Sequence, residues 1–133
     1  MAPVSRRPWL KPLRRGHLWF GLWLGAIAVV VVACLLPGTE LPKVPVNDKV
    51  EHALAFFALS VAAVQLFLRG KPLAIVALGL LALGGAIELA QALLTTSREM
   101  EAADFIADAI GIGAGLLLAW TPLRDVLLHI DHL

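Results

Sequence analysis

Four apolar stretches divide this chain, and each approaches the length that a helix needs to cross a membrane. They cover residues 18–36, 53–68, 73–94 and 105–120. The hydrocarbon layer is about 30 Å thick and takes about 20 residues per helical span, so four spans would use ~80 residues. With 133 residues in all, only short connections remain. We therefore predict an all-α membrane protein, a compact bundle of four transmembrane helices forming a single domain over residues 1–133.

The composition supports this prediction and excludes other classes of protein. Hydrophobic residues make up 59% of the chain and charged residues 16%, against ~45–50% and ~25% in soluble domains. A separate soluble catalytic domain does not fit beside four spans. A disulfide scaffold is excluded because Cys34 is the one cysteine. The net charge of +1 gives no reason to expect a nucleic-acid partner.

Two of the apolar stretches are too short by themselves. The second and fourth hold 16 residues each, about 24 Å of helix. We expect each to extend N-terminally into polar residues, which places the four spans at about 18–36, 50–68, 73–94 and 101–120. After Pro122 the apolar residues recur at helical spacing. This pattern predicts a short amphipathic C-terminal helix at the membrane interface, with a frayed end as the alternative.

The basic residues are distributed unevenly between the two sides of the predicted bundle. Eight of the eleven lysines and arginines lie in the N-terminal segment, the second loop and the tail. Because positive residues stay in the cytoplasm, we expect both termini to be cytoplasmic. Trp19, Phe20, Trp23 and Trp120 fit an aromatic belt on that side. The basic start and first apolar stretch also fit a cleaved or lipidated signal ending near Cys34, but the stretch is long enough to span.

Polar residues accumulate at the ends of three spans that lie away from the basic side of the predicted bundle. A charged group at the centre of a membrane helix costs roughly 2.5–3.5 kcal/mol on insertion scales, so such groups persist where they are paired, hydrated or functional. Helical spacing puts the members of each set on one face. We predict that these faces form an outward-facing polar pocket with the following candidate ligand-binding residues: Asp48, Lys49, His52, Glu88, Gln91, Arg98, Asp104 and Asp108.

Each element of this pocket also has a purely structural interpretation. Asp48 and Glu51 have the spacing of a helix-capping box, and His52 could be a packed histidine. Glu88 and Asp108 could form interhelical ion pairs with Arg98 or Lys49. For Gly111 and Gly115, whose spacing permits close helix contact, we expect a packing role.

The polar pattern resembles that of the VanZ-like family of small membrane proteins, whose founding member is associated with teicoplanin resistance. Two blocks carry the resemblance. The first is Asp48-Lys49-x-x-His52, with Phe56 and Phe57 behind it. The second is Glu88-x-x-Gln91, then Arg98, then Asp104-x-x-x-Asp108-x-x-Gly111-x-x-x-Gly115. The resemblance covers about half of the chain and implies a bundle in the bacterial cytoplasmic membrane. Family members often have Asn where this chain has Asp108, so a shared proton or bound cation is easier to accommodate here.

Three kinds of function fit these residues. The first is a cell-envelope protein that binds a lipid headgroup or lipid-linked precursor, with Lys49, His52 and Arg98 at phosphate. The second is a membrane enzyme acting on a lipid phosphoester, with His52 or Glu88 as acid or base. The third is a small transporter or proton-coupled component using Glu88 and Asp108. No cofactor motif is present, although clustered carboxylates could hold a divalent cation, and His52 with Asp48 and Glu88 could hold zinc.

Overall fold

A computed structural model describes residues 8–36, 48–94 and 102–133. Within these ranges the chain forms five α-helices and no strands, which confirms the predicted four-helix bundle with a short C-terminal helix. The helices are α1 (Gly16–Leu35), α2 (Asp48–Leu66), α3 (Lys71–Leu94), α4 (Ala102–Leu116) and α5 (Val126–Asp131). Two 3₁₀ segments, Leu117–Trp120 and Pro122–Asp125, connect α4 to α5.

In the part of the chain that the structure describes, four helical segments are long and apolar enough to cross a membrane. They are Gly16–Leu35, Lys49–Leu66, Lys71–Leu94 and Ala102–Trp120. Both α2 and α4 begin on or beside polar residues, as expected from the short apolar stretches in the sequence. Since α2 and α4 run opposite to α3, the first turns of α2 and α4 meet the last turns of α3. We call this the polar end of the bundle and the opposite end, which carries α5, the tail end.

The closest helix pair is α2 with α4, and two glycines allow it. A Cβ added at Gly111 would overlap the carbonyl oxygen of Ala53 and lie 3.0 Å from the backbone nitrogen of Phe57. One turn later, a Cβ at Gly115 would lie 2.7 Å from Cβ and Oγ of Ser60. The Ser60 hydroxyl, fully buried, donates a 2.8 Å hydrogen bond to the carbonyl of Ile112. Small residues therefore bring the two backbones into direct contact.

Aromatic side chains attach α1 to the other helices near the tail end. The indole of Trp23 is buried, donates a 3.0 Å hydrogen bond to the carbonyl of Leu59, and packs edge-on against Phe67 with ring centroids 5.2 Å apart. Trp23 therefore lies in the core and not in the interfacial belt that the sequence suggested. Trp120, by contrast, is exposed at 68%. The sequence could not predict that Trp23 is buried, because α1 is apolar on all sides and its residue pattern does not mark the face that contacts the other helices.

The C-terminal tail is fixed to the bundle by hydrogen bonds. The amide nitrogen of Gln65 donates to the carbonyl of Leu123 at 2.8 Å, and its oxygen accepts from the backbone N–H of Leu127 at 2.9 Å. Lys11 forms a 3.0 Å ion pair with Asp125. These contacts favour a docked helix over a frayed end.

Asp131 joins the tail to the start of α1. Its side chain is buried and accepts a 2.9 Å hydrogen bond from the Trp19 indole, together with backbone N–H bonds from Arg14 and Arg15. Burial raises the pKa of the Asp131 carboxyl, but these donated bonds outweigh it and hold that pKa below its usual value. For Asp125, the hydrogen bond from Lys11 is the main reason that the pKa is lowered. The carboxyl groups of Asp125 and Asp131 are therefore ionised when they hold the tail against the bundle.

Acidification is expected to release the tail. Because the folded pKa values of Asp125 and Asp131 are lowered, their contribution to stability is complete above the ordinary carboxyl pKa of about 3.9. It is lost as the pH falls through the lower folded values. Hydrogen exchange of residues 123–133, corrected for the intrinsic pH effect, should show protection at pH 7 that declines below about pH 4.

An Asp131→Asn variant should show the same loss of tail protection already at pH 7, while peptides from α3 serve as the internal control. Tail protection that stays constant down to pH 3 in the wild-type protein would contradict the assignment.

Candidate functional site

Four buried polar side chains from three helices come together at the polar end. His52 lies in the second turn of α2, Glu88 lies near the end of α3, and Asp104 and Asp108 lie one turn apart in α4. Their exposed fractions are 4%, 4%, 5% and 0% in that order. We call these four residues the acid–histidine cluster. Burial of so many ionisable groups is costly, so this arrangement requires close pairing or a bound partner.

His52 and Asp108 form the closest pair in the cluster. Nδ1 of the ring lies 3.1 Å from Oδ1 of the carboxylate. A carboxylate oxygen at this distance can accept a hydrogen bond from an Nδ1–H group of the ring. A carboxylate behind an imidazole in this way fixes the tautomer and the ring orientation.

Gly84 makes room for Asp108 on the facing surface of α3. A Cβ at this position would lie 2.9 Å from Oδ2 of Asp108 and 3.3 Å from its Cβ. Glu88 follows Gly84 by four residues and therefore lies on the same face of α3, one turn nearer the polar end. Thus α3 leaves space for the Asp108 carboxylate at Gly84 and contributes the Glu88 carboxylate one turn nearer the polar end.

Glu88 and Asp104 complete the cluster around the histidine. Oε1 of Glu88 lies 4.0 Å from Nδ1 of His52. One candidate ligand atom each from His52, Glu88 and Asp104 can be chosen so that all lie within 4.8 Å of one another. Nitrogen and oxygen donors converging from three helices have the chemistry of a divalent cation site.

Gln91 connects two helices beside the cluster. It is 1% exposed, and its amide nitrogen donates a 2.8 Å hydrogen bond to the backbone carbonyl of Cys34 on α1. This bond attaches the end of α1 to α3 beside the acid–histidine cluster. Gln91 therefore helps to hold α1 at the site, and its place among the candidate ligand-binding residues stays a prediction.

The other predicted site residues are placed as follows. Lys49 lies in the first turn of α2 with its side chain exposed. Asp48 is the first residue of α2, and its side chain lies outside the described part of the structure. Arg98 belongs to residues 95–101, which are also outside the described ranges. The structure thus brings together His52, Glu88, Asp104 and Asp108 from the predicted set.

Two residues near the cluster were missed as parts of the site. Gly84 was not among the predicted site residues, although its position four residues before Glu88 placed it on the same face. Ser60, a polar residue within an apolar span, anchors α2 to α4 below the cluster. Spacing was the available signal for Gly84, but no sequence signal identified the Ile112 carbonyl as the partner of Ser60.

Comparisons with known proteins give no relative from which a role can be transferred. No protein-family model matches the chain. A search of curated proteins and a search of solved structures likewise returned no match.

Proposed function

We propose that this protein binds the polar headgroup of a membrane lipid, or of a lipid-linked envelope precursor, at the acid–histidine cluster. The observation that carries the proposal is the convergence of His52, Glu88, Asp104 and Asp108 at one end of a bundle of membrane-spanning length. His52 lies only four residues from the start of α2, about 6 Å along the helix axis. That depth corresponds to the border between headgroups and hydrocarbon, where a lipid has its polar atoms.

The distribution of charge supports an outward-facing cluster in the bacterial cytoplasmic membrane. At the tail end, the described residues include Lys11, Arg14, Arg15, Lys71 and Arg124. Basic residues favour the cytoplasmic side, so we place both termini there and the cluster at the outer surface. A headgroup at that surface belongs to the outer leaflet, where envelope precursors are used.

The VanZ-like pattern supports the same proposal. The two sequence blocks that carry the resemblance contribute His52 on one side and Glu88, Asp104 and Asp108 on the other, and the 3.1 Å contact between His52 and Asp108 joins them. We therefore propose that the chain is a VanZ-like protein in which these blocks form one site.

The test is retention of lipid by the purified protein. Wild-type protein released from phospholipid nanodiscs in native mass spectrometry should keep a lipid adduct, and Glu88→Gln and Arg98→Ala should lose it. Glu51→Gln is the matched control, because Glu51 lies beside His52 on α2 but is only half-buried and outside the cluster. Equal adducts in all four proteins, with Glu88→Gln merely less stable, would overturn the proposal in favour of a structural role.

A second candidate function, hydrolysis of a lipid phosphoester, is favoured by the His52–Asp108 pair. An imidazole oriented by a carboxylate can act as a general base. Water would attack phosphorus as His52 takes its proton, the bond to the lipid alcohol would break, and the proton would pass to the departing oxygen. Phosphate release that stays at background in wild-type protein, with and without magnesium, would count against this candidate.

A further inference from the structure

The side chains gathered at the polar end include a set of potential metal ligands, which is a more specific chemistry than that of a general polar pocket. We propose that His52, Glu88 and Asp104 bind one divalent transition-metal cation per chain, of the Zn²⁺ or Mn²⁺ type. One imidazole nitrogen and carboxylate oxygens suit these ions better than Mg²⁺ or Ca²⁺, which prefer oxygen ligands alone. The set differs from the zinc ligands suggested by the sequence, because Asp104 on α4 takes the place given to Asp48.

The spacing of the donors requires only a small contraction. Ligand atoms around a tetrahedral ion with bonds near 2.1 Å are separated by about 3.4 Å. The candidate atoms of the three residues lie within 4.8 Å of one another, so a contraction of their separations by at most about 1.4 Å brings all three to bonding distance of one ion and leaves a fourth position open. Each donor comes from a different helix: His52 from α2, Glu88 from α3 and Asp104 from α4.

Asp108 provides a second, independent observation that points to a ligand. Its side chain is fully buried, and Oδ2 accepts no hydrogen bond from any residue that the structure describes. Oδ1 of the same carboxylate contacts Nδ1 of His52 at 3.1 Å. A carboxylate behind a ligating histidine is the usual outer support of a metal site, where it orients the ring and increases its basicity. Asp108 is therefore a positioning residue for His52.

A bound cation also lowers the negative charge of the cluster, which would otherwise repel an anionic headgroup. Three carboxylates held this close repel one another and any phosphate, whereas a dication offsets two of the three charges and offers an open coordination position. This last step rests on the proposed function, because it assigns the phosphate oxygen of the lipid to that open position. Metal binding itself does not depend on the lipid.

The experiment measures metal directly. Protein in detergent is stripped with EDTA, reloaded separately with ZnCl₂ and MnCl₂, desalted, and analysed for metal by mass spectrometry. We expect close to one equivalent per chain with at least one of the two ions. The affinity should be at least tenfold lower in His52→Ala, Glu88→Gln and Asp104→Asn, and unchanged in the matched controls Glu51→Gln and Asp125→Asn. Less than a tenth of an equivalent with both ions in wild-type protein, or full loading in the three variants, would overturn the proposal.

A spectroscopic measurement tests the metal site without the substitutions that remove a ligand and can impair folding. Co²⁺ added to stripped wild-type protein should give visible absorption bands of a nitrogen- and oxygen-coordinated ion. Asp108→Asn, which keeps the size of the side chain, should shift those bands while retaining metal. Absence of the bands in wild-type protein would count against the site. If stripped protein without metal still keeps its lipid adduct, the assignment of the lipid phosphate to the open coordination position fails while headgroup binding stands. If metal binds but no lipid is retained, headgroup binding fails while the metal site stands.

Discussion

Replacing Gly111 with alanine should destabilise the bundle more than most single substitutions in this chain. The new Cβ would overlap the carbonyl oxygen of Ala53 and come within 3.0 Å of the Phe57 backbone nitrogen. These are atoms of the α2 backbone, so no side chain can rotate away and the two helices must separate. Overpacking of this kind costs about 1–3 kcal/mol, and sometimes more. In lipid, helix association depends on such close contact.

The neighbouring Gly113 provides the matched control for this prediction. It lies on the same helix, but a Cβ at this position would have nothing within 4 Å. Alanine has the higher helix propensity by up to ~1 kcal/mol, so Gly113→Ala should be neutral or slightly stabilising. Reversible unfolding in mixed micelles, followed by circular dichroism, should therefore give opposite signs for the two alanine variants. Equal effects would show that α2 and α4 are not in contact at Gly111.

The number of spans and their extent could be predicted from the sequence because the membrane imposes a length. A run of apolar residues either reaches across the hydrocarbon layer or must be completed by its polar neighbours. This reasoning placed the start of the second span at about residue 50 and that of the fourth at about residue 101, and in the structure α2 begins at Asp48 and α4 at Ala102. The same physical constraint predicted that the polar residues at these starts would lie at one depth.

The partner of each helix face could not be predicted from one sequence. Gly111 and Gly115 marked α4 as a closely packed helix, but nothing in their spacing selected α2 over α1 or α3. His52 and Asp108 are 56 positions apart, and their contact follows from that choice of partner. Hydropathy predicts whether a helix face contacts polar or apolar surroundings. Which helix packs against that face depends on the detailed shape of both surfaces.

The tail illustrates a second limit of sequence patterns. Its apolar residues at helical spacing predicted an amphipathic helix at the membrane interface. Asp131 is instead buried against the start of α1, and Gln65, a polar residue in a span, is bonded to the tail backbone. The spacing of polar residues shows that a helix has a polar face. It does not show whether that face contacts water or forms hydrogen bonds with other residues of the same chain.

Replacing Asp108 with alanine should both destabilise the bundle and uncouple His52 from α4. The substitution leaves the ring N–H buried without its 3.1 Å acceptor. An unsatisfied buried donor costs about 1–3 kcal/mol, and the small cavity adds to this. Asp108→Asn keeps an acceptor oxygen and nearly the same volume, so its loss of stability should be smaller, while the loss of charge should still alter the environment of the ring.

A double-mutant cycle separates this coupling from a general loss of packing. The unfolding free energies of His52→Ala, Asp108→Ala and the double variant should show an interaction energy of at least ~0.5 kcal/mol, because the two side chains are in direct contact. The control cycle combines Asp108→Ala with Gln65→Ala, whose amide binds the tail at the opposite end of the bundle. That pair should be additive. If His52 and Asp108 were also additive, their hydrogen bond would contribute nothing to the fold, and Asp108 could not be the residue that orients the histidine at the site.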